Sequence, residues 1–131
     1  MMRKTTVREY MTPSPYTIGA DQPIARASEI MREHQIRHLP VLRGGKLVGI
    51  LSQRDVHLIL SLPKVEAAEV TVEEAMSDQV YVVPPEASLE EVAAEMAAHK
   101  YGAVLVTERG RLAGVFTTVD ALHALCDGAH R

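Results

Sequence analysis

Two short stretches carry the residue types best suited to hold a small molecule. They are Gly49-Ile50-Leu51-Ser52-Gln53-Arg54-Asp55 and Gly114-Val115-Phe116-Thr117-Thr118-Val119-Asp120. Each sets a hydroxyl three residues ahead of a carboxylate, behind a glycine and two apolar residues. A carboxylate can accept hydrogen bonds from two adjacent ribose hydroxyls. A Ser or Thr hydroxyl, with main-chain N–H groups at a helix start, can hold a phosphate. The same spacing is also that of a capping box with Asp in place of Glu. Capping and ligand binding are both open readings, and one pair of residues can serve both. The glycine lets a second backbone or a ligand come close.

The two stretches are parts of a longer repetition. A gapless shift of 65 residues lays Thr6-Val7-Arg8-Glu9 on Thr71-Val72-Glu73-Glu74, Met11 on Met76, Tyr16 on Tyr81 and His34 on His99. It continues through Val41 on Val106, Gly45 on Gly110, Gly49 on Gly114 and Asp55 on Asp120. One register held through half a chain marks a tandem duplication. The copies run 6–61 and 71–126, with residues 62–70 as a linker in which Pro63 stops helix continuation.

Each copy predicts the same elements. A capping box opens it, Thr6 with Glu9 and Thr71 with Glu74. A short strand follows at Tyr16-Thr17-Ile18 and at Val80-Tyr81-Val82-Val83, fenced by prolines. A longer helix comes next. Asp21 is its expected cap in the first copy, with Pro23 in the opening turn, and Ser88 with Glu91 forms a capping box in the second. Ile24, Ala27, Ile30 and Met31, and Leu89, Val92, Ala93 and Met96, give each helix a buried stripe. His34 and His99 fall near the helix ends, where an imidazole suits the dipole. Two apolar runs joined by a Gly-bearing turn then predict a hairpin, 39–51 and 103–116. Pro40 cannot donate to a ladder, so its strand is expected at an edge or locally irregular. A last helix follows each motif. The fold class is α+β: two small three-stranded sheets with helices, sharing a core about a pseudo-twofold axis because one copy alone buries little.

Composition narrows the function. The net charge of −3 and the absence of a basic run argue against nucleic-acid binding. Cys126 is the only cysteine, so no intrachain disulfide forms and a reducing cytoplasm is expected; in an apolar helix it reads as a small buried thiol. The basic start Met1-Met2-Arg3-Lys4 has no apolar run behind it, so no signal peptide is expected, and no stretch approaches the ~20 apolar residues of a membrane span. Residues 127–131 read as a frayed tail. No Cys/His cluster has metal-ligand spacing, and no nucleophile–base pair, P-loop or dinucleotide fingerprint is present, so neither a resident metal nor catalysis is expected.

The element order, closed in each copy by Gly-h-h-Ser/Thr-x-x-Asp, resembles the cystathionine-β-synthase (CBS) domain. Two copies resemble a CBS pair, or Bateman module, over nearly the whole chain. Ile36-Arg37-His38-Leu39-Pro40-Val41 followed by Gly45 to Asp55 is typical of small stand-alone bacterial members. The resemblance implies a non-catalytic sensor that binds an adenine nucleotide such as AMP, ADP or ATP, or an adenosyl relative, in a cleft between the repeats. Mg²⁺ could arrive with ATP, and no cofactor is required. It implies ribose and phosphate contacts by Ser52 and Asp55 and by Thr117 and Asp120. It also implies phosphate contacts by Arg37 and His38, and an adenine near Thr17 and Ile18 and near Val80 and Val82. A homodimer through helix faces such as Leu58, Ile59, Leu122 and Leu125, and a partner protein that reads the bound state, are implied too. The alternative is an interaction module with empty clefts.

The copies differ where charge matters. Arg37, His38 and Arg54 align with Gly102, Ala103 and Val119. The Ser52–Asp55 motif is therefore expected to hold phosphate. The Thr117–Asp120 motif is expected to be weaker, empty or selective for less charge. His38 as a plain strand residue, and Arg37 as a partner of Glu33, are the bland readings.

Overall fold

In the computed structural model, which describes residues 4–128, the compact units are not the sequence repeats. One unit is Tyr16–Val80. The other joins the segment before Tyr16 to the segment from Tyr81 onward. Each copy's opening segment is thus built into the unit that carries the other copy's motif.

The Tyr16–Val80 unit contains β2 (Ile18–Gly19), α1 (Ile24–His34), β3 (His38–Arg43), β4 (Lys46–Ser52), α2 (Gln53–Leu60) and α3 (Val72–Ala75). Its sheet has the order β2-β3-β4, with β2 parallel and β4 antiparallel to β3. The second unit contains a 3-10 turn (Val7–Glu9), β1 (Thr12–Pro13), β5 (Val82–Val83), α4 (Leu89–His99), β6 (Ala103–Glu108), β7 (Arg111–Thr117) and α5 (Thr118–Cys126). Its sheet runs β1-β7-β6-β5, so the opening segment adds a fourth strand. Its counterpart in the first unit is the two-way hydrogen bonding of Ile50 with Ser77, both at 2.9 Å.

The opening segments are anchored by matching bonds. The N–H of Val7 donates to Ala87 O and that of Leu89 to Thr5 O; likewise Val72 N–H reaches Gln22 O and Ile24 N–H reaches Val70 O. Val7 and Val72 are fully buried in their host cores, beside Phe116 and Val104 in one unit and Leu39 and Leu51 in the other. Fully burying one such side chain contributes about 1.5–3 kcal/mol, which holds each segment against its host core.

Several local expectations change. The short strands shrink to Ile18–Gly19 and Val82–Val83. Asp21 does not cap α1. Pro23 stands at the cap position with no side-chain bond, and the linker serves instead, Val70 O and Ala67 O accepting from Ile24 and Ala25. Ser88 caps α4 through the N–H of Glu91, at 3.4 Å, but the expected box is only half made, since the Glu91 carboxylate does not return a bond to the Ser88 N–H. Pro40 lies in a central strand rather than at an edge. The irregularity it implied does occur, as a register shift between Val41 and Leu42. Cys126 is exposed, because α5 turns Ala124 rather than Cys126 into the core. Asp127 is held by the hydroxyl of Tyr10 at 2.9 Å, while the rest of the expected tail beyond Gly128, and Met1 to Arg3, lie outside the described residues.

Candidate functional site

The motif glycines serve the fold. A Cβ on Gly49 would stand 2.7 Å from Ser77 O and 2.5 Å from Met76 Sδ. One on Gly114 would stand 2.8 Å from Thr12 O and 2.6 Å from Met11 Sδ. Of the two approaches the sequence allowed, backbone or ligand, the backbone of the docked opening segment occupies the space.

The capping reading of the motif is also realised. Ser52 Oγ accepts from Asp55 N–H at 3.0 Å, and Asp55 Oδ2 accepts from Ser52 N–H at 2.9 Å. Thr117 and Asp120 repeat this at 3.3 and 2.8 Å. Each box uses one carboxylate oxygen. Among the described residues, Oδ1 of Asp55 and of Asp120 accepts no hydrogen bond, so each carboxylate keeps an open acceptor atom. The hydroxyls differ. Thr117 Oγ1 donates to Asp120 Oδ2 at 3.1 Å, whereas Ser52 Oγ donates to no described partner.

The antiparallel register sets His38 opposite Ser52, and the N–H of Gln53 donates to Arg37 O at 2.8 Å. Arg37 and His38 are thereby stapled to the first turn of α2. The imidazole is half-buried, and burial holds its pKa below the usual 6.5; the Asp55 carboxylate pulls it up and the Arg37 guanidinium pushes it down. Asp55 therefore lies within electrostatic reach of His38, which joins four of the expected site residues into one cluster. Arg37 and Arg54 are exposed. In the other unit the same positions are Ala103 opposite Thr117, and Gly102, whose carbonyl accepts from Thr118 N–H at 3.1 Å. The charge asymmetry read from the alignment is thus present at equivalent places.

Thr17 and Ile18 are placed differently. They line a cavity of about 460 Å³ with Gly19 to Asp21 and Leu42 to Gly45. This cavity opens at the hairpin end of β3, away from the Ser52 end. Val80 and Val82 fall on either side of the boundary between the units, with Val82 41% exposed on β5.

Sequence reading overlooked a set of aromatic contacts. Tyr16 stacks on His34 with ring centroids 3.8 Å apart. In the other unit Tyr101 lies 5.2 Å from His99 and 5.5 Å from Tyr81. The alignment of Tyr16 with Tyr81 and of His34 with His99 was the available signal. Tyr101 stands two residues before Ala103, at the Thr117 end of its sheet. Among the described residues no group of His, Cys, Asp and Glu could hold a metal ion, and no helix is long and apolar enough to cross a membrane.

The chain belongs to the CBS domain family, which matches it twice, over residues 7–61 and 72–127. It is 33% identical over 118 residues to an inosine-5'-monophosphate dehydrogenase of Korarchaeum cryptofilum, a match that spans 89% of this chain but only 22% of that enzyme. Among solved structures it is similar to an acetoin utilization protein (AcuB) of Vibrio cholerae, at 31% identity and a TM-score of 0.84, covering 99% of this chain and 95% of the other. It is also similar to the CBS domain pair of MJ0100 in complex with 5'-methylthioadenosine and S-adenosyl-L-methionine. There the identity is 29%, the TM-score 0.84, and the coverage 96% of this chain and 98% of that one.

Proposed function

We infer that this chain is a non-catalytic, cytoplasmic sensor module that binds an adenine nucleotide of the AMP, ADP or ATP class, or an adenosyl relative, and reports the bound state to a partner protein. One observation carries the reading. The capping boxes engage only Oδ2, which leaves Asp55 Oδ1 and Asp120 Oδ1 as acceptors beside helix starts. Adenosyl ligands in the similar CBS pair of MJ0100 support the ligand class.

The two motifs then divide the ligand by charge. Ser52 with a free hydroxyl proton, His38, Arg37 and Arg54 suit a phosphate. Thr117 spends its hydroxyl on Asp120, and its neighbours Gly102, Ala103 and Val119 are neutral; Tyr81 and Tyr101 supply aromatic surface instead. A nucleoside or a ligand of lower negative charge suits that unit. Mg²⁺ enters, if at all, with ATP.

A second reading has its own observation. Leu58, Leu122 and Leu125 are 65, 54 and 55% exposed on α2 and α5, while Ile59, expected on the same face, packs against the core of its unit. Such apolar faces support a homodimer or a protein partner. Calorimetric titration with AMP, ADP, ATP, NAD and S-adenosylmethionine separates the two. Saturable heat with an adenine ligand is expected. No heat with any of them from a stable dimer would leave only the interaction module.

A further inference from the structure

We propose that capture of a phosphate beside His38 is linked to uptake of a proton by its imidazole, so that nucleotide affinity at the first motif rises as pH falls. The proposal rests on the nucleotide reading above and adds a regulatory property to the same site. Geometry supplies its basis. The β3–β4 register holds His38 opposite Ser52, and the Gln53-to-Arg37 bond fixes the start of β3 against α2. The charges that bear on the ring are the Asp55 carboxylate from α2 and the Arg37 guanidinium beside it on the chain; the facing β4 residue, Ser52, is neutral.

In the free protein, burial favours the neutral ring, and Asp55 only partly offsets this. A phosphate placed at Ser52 adds a second anion and an acceptor for the ring N–H. Both favour the imidazolium. A group whose pKa is higher in the bound than in the free state takes up protons on binding, and affinity grows as pH falls through that interval. The limit for one proton is tenfold per pH unit. The other unit has Ala103 in this place and no ring to titrate.

Titrating AMP and adenosine at pH 8, 7 and 6 tests this, on the wild type and on His38→Gln, which keeps hydrogen-bonding capacity but cannot charge. The wild type should bind AMP several-fold more tightly at pH 6 than at pH 8, adenosine should show no such gain, and His38→Gln should lose it. The phosphate's own ionisation, near pKa ~6, is common to both proteins and drops out of the comparison. Should the variant fail to bind, calorimetry of the wild type at pH 7, where the phosphate is already mostly dianionic, in two buffers of different ionisation heat reads proton uptake by the protein. Equal pH dependence in both proteins, or AMP binding without proton uptake, would overturn the linkage while leaving the nucleotide reading intact. Absence of binding by AMP and adenosine at every pH would overturn the linkage, and absence of binding by ADP, ATP, NAD and S-adenosylmethionine as well would overturn both.

Discussion

Arg8 reaches Glu108 at 2.8 Å, and the equivalent contact in the other unit has its charges exchanged, with Glu73 meeting Arg43. The 65-residue shift lays Arg8 on Glu73 and Arg43 on Glu108. An opening segment laid on its own repeat would therefore set arginine against arginine or glutamate against glutamate. The reversed polarity agrees with the exchanged docking and opposes the self-contained one, a use of repulsion for specificity. Arg8 also reaches Glu86 at 3.0 Å. Arg8→Glu is expected to lower the thermal midpoint, and Arg8→Glu with Glu108→Arg to recover part of the loss, since Glu86 still faces the new glutamate. Additive losses in the double variant would show that the pair does not interact. The sites are exposed, so high salt should shrink the effect.

The motif glycines make a second prediction. Gly49→Ala and Gly114→Ala should each destabilise by about 1–3 kcal/mol, as overpacking does. The obstructing atoms include the carbonyls of Ser77 and Thr12, at 2.7 and 2.8 Å from the added Cβ. Shortening Met76 or Met11 should therefore not rescue the loss. Urea unfolding measures this, and full rescue by Met76→Ala would contradict it.

Free-protein stability should also respond to His38. Its folded pKa lies below 6.5, so the unfolded chain binds a proton first as pH falls. Stability is unaffected well above pH 6.5 and declines as pH drops through that value, no more steeply than about 1.4 kcal/mol per pH unit for one proton. Denaturant midpoints between pH 8 and 5 should show this decline flattened in His38→Gln. An unchanged slope would place the titration elsewhere.

The sequence carried the local rules well and the docking partners poorly. Thr6 with Glu9, Thr71 with Glu74 and both Asp motifs box as their spacing requires, because a cap is decided within four residues. The host of each opening segment was not legible. Val7 and Val72 are apolar at equivalent positions, and either core could have taken either one. The only trace was the opposite charge at Arg8 and Glu73. Asp21 lost the α1 start to carbonyls of the distant linker, and Cys126 lost the core to Ala124, both decided by tertiary packing. At the site, the His38–Ser52 pairing followed from the hairpin. The stacking of Tyr101 on His99 needed the helix and strand ends brought together in space.

Capping and binding should separate under substitution. Ser52→Ala and Thr117→Ala should each cost about 1 kcal/mol of stability, the usual cost of a lost cap. Only Ser52→Ala should also weaken AMP binding markedly, because Thr117 Oγ1 donates to Asp120 whereas Ser52 Oγ donates to no described partner. Unfolding curves run beside titrations on the same preparations check this. Equal affinity losses would remove the distinction between the hydroxyls.

In the proposed sensor the first motif is the phosphate-holding one. Calorimetric titration of AMP into the wild type, Asp55→Ala and Asp120→Ala tests it most directly. Affinity should fall at least tenfold in Asp55→Ala and much less in Asp120→Ala. Equal losses, or no loss in either, would contradict it.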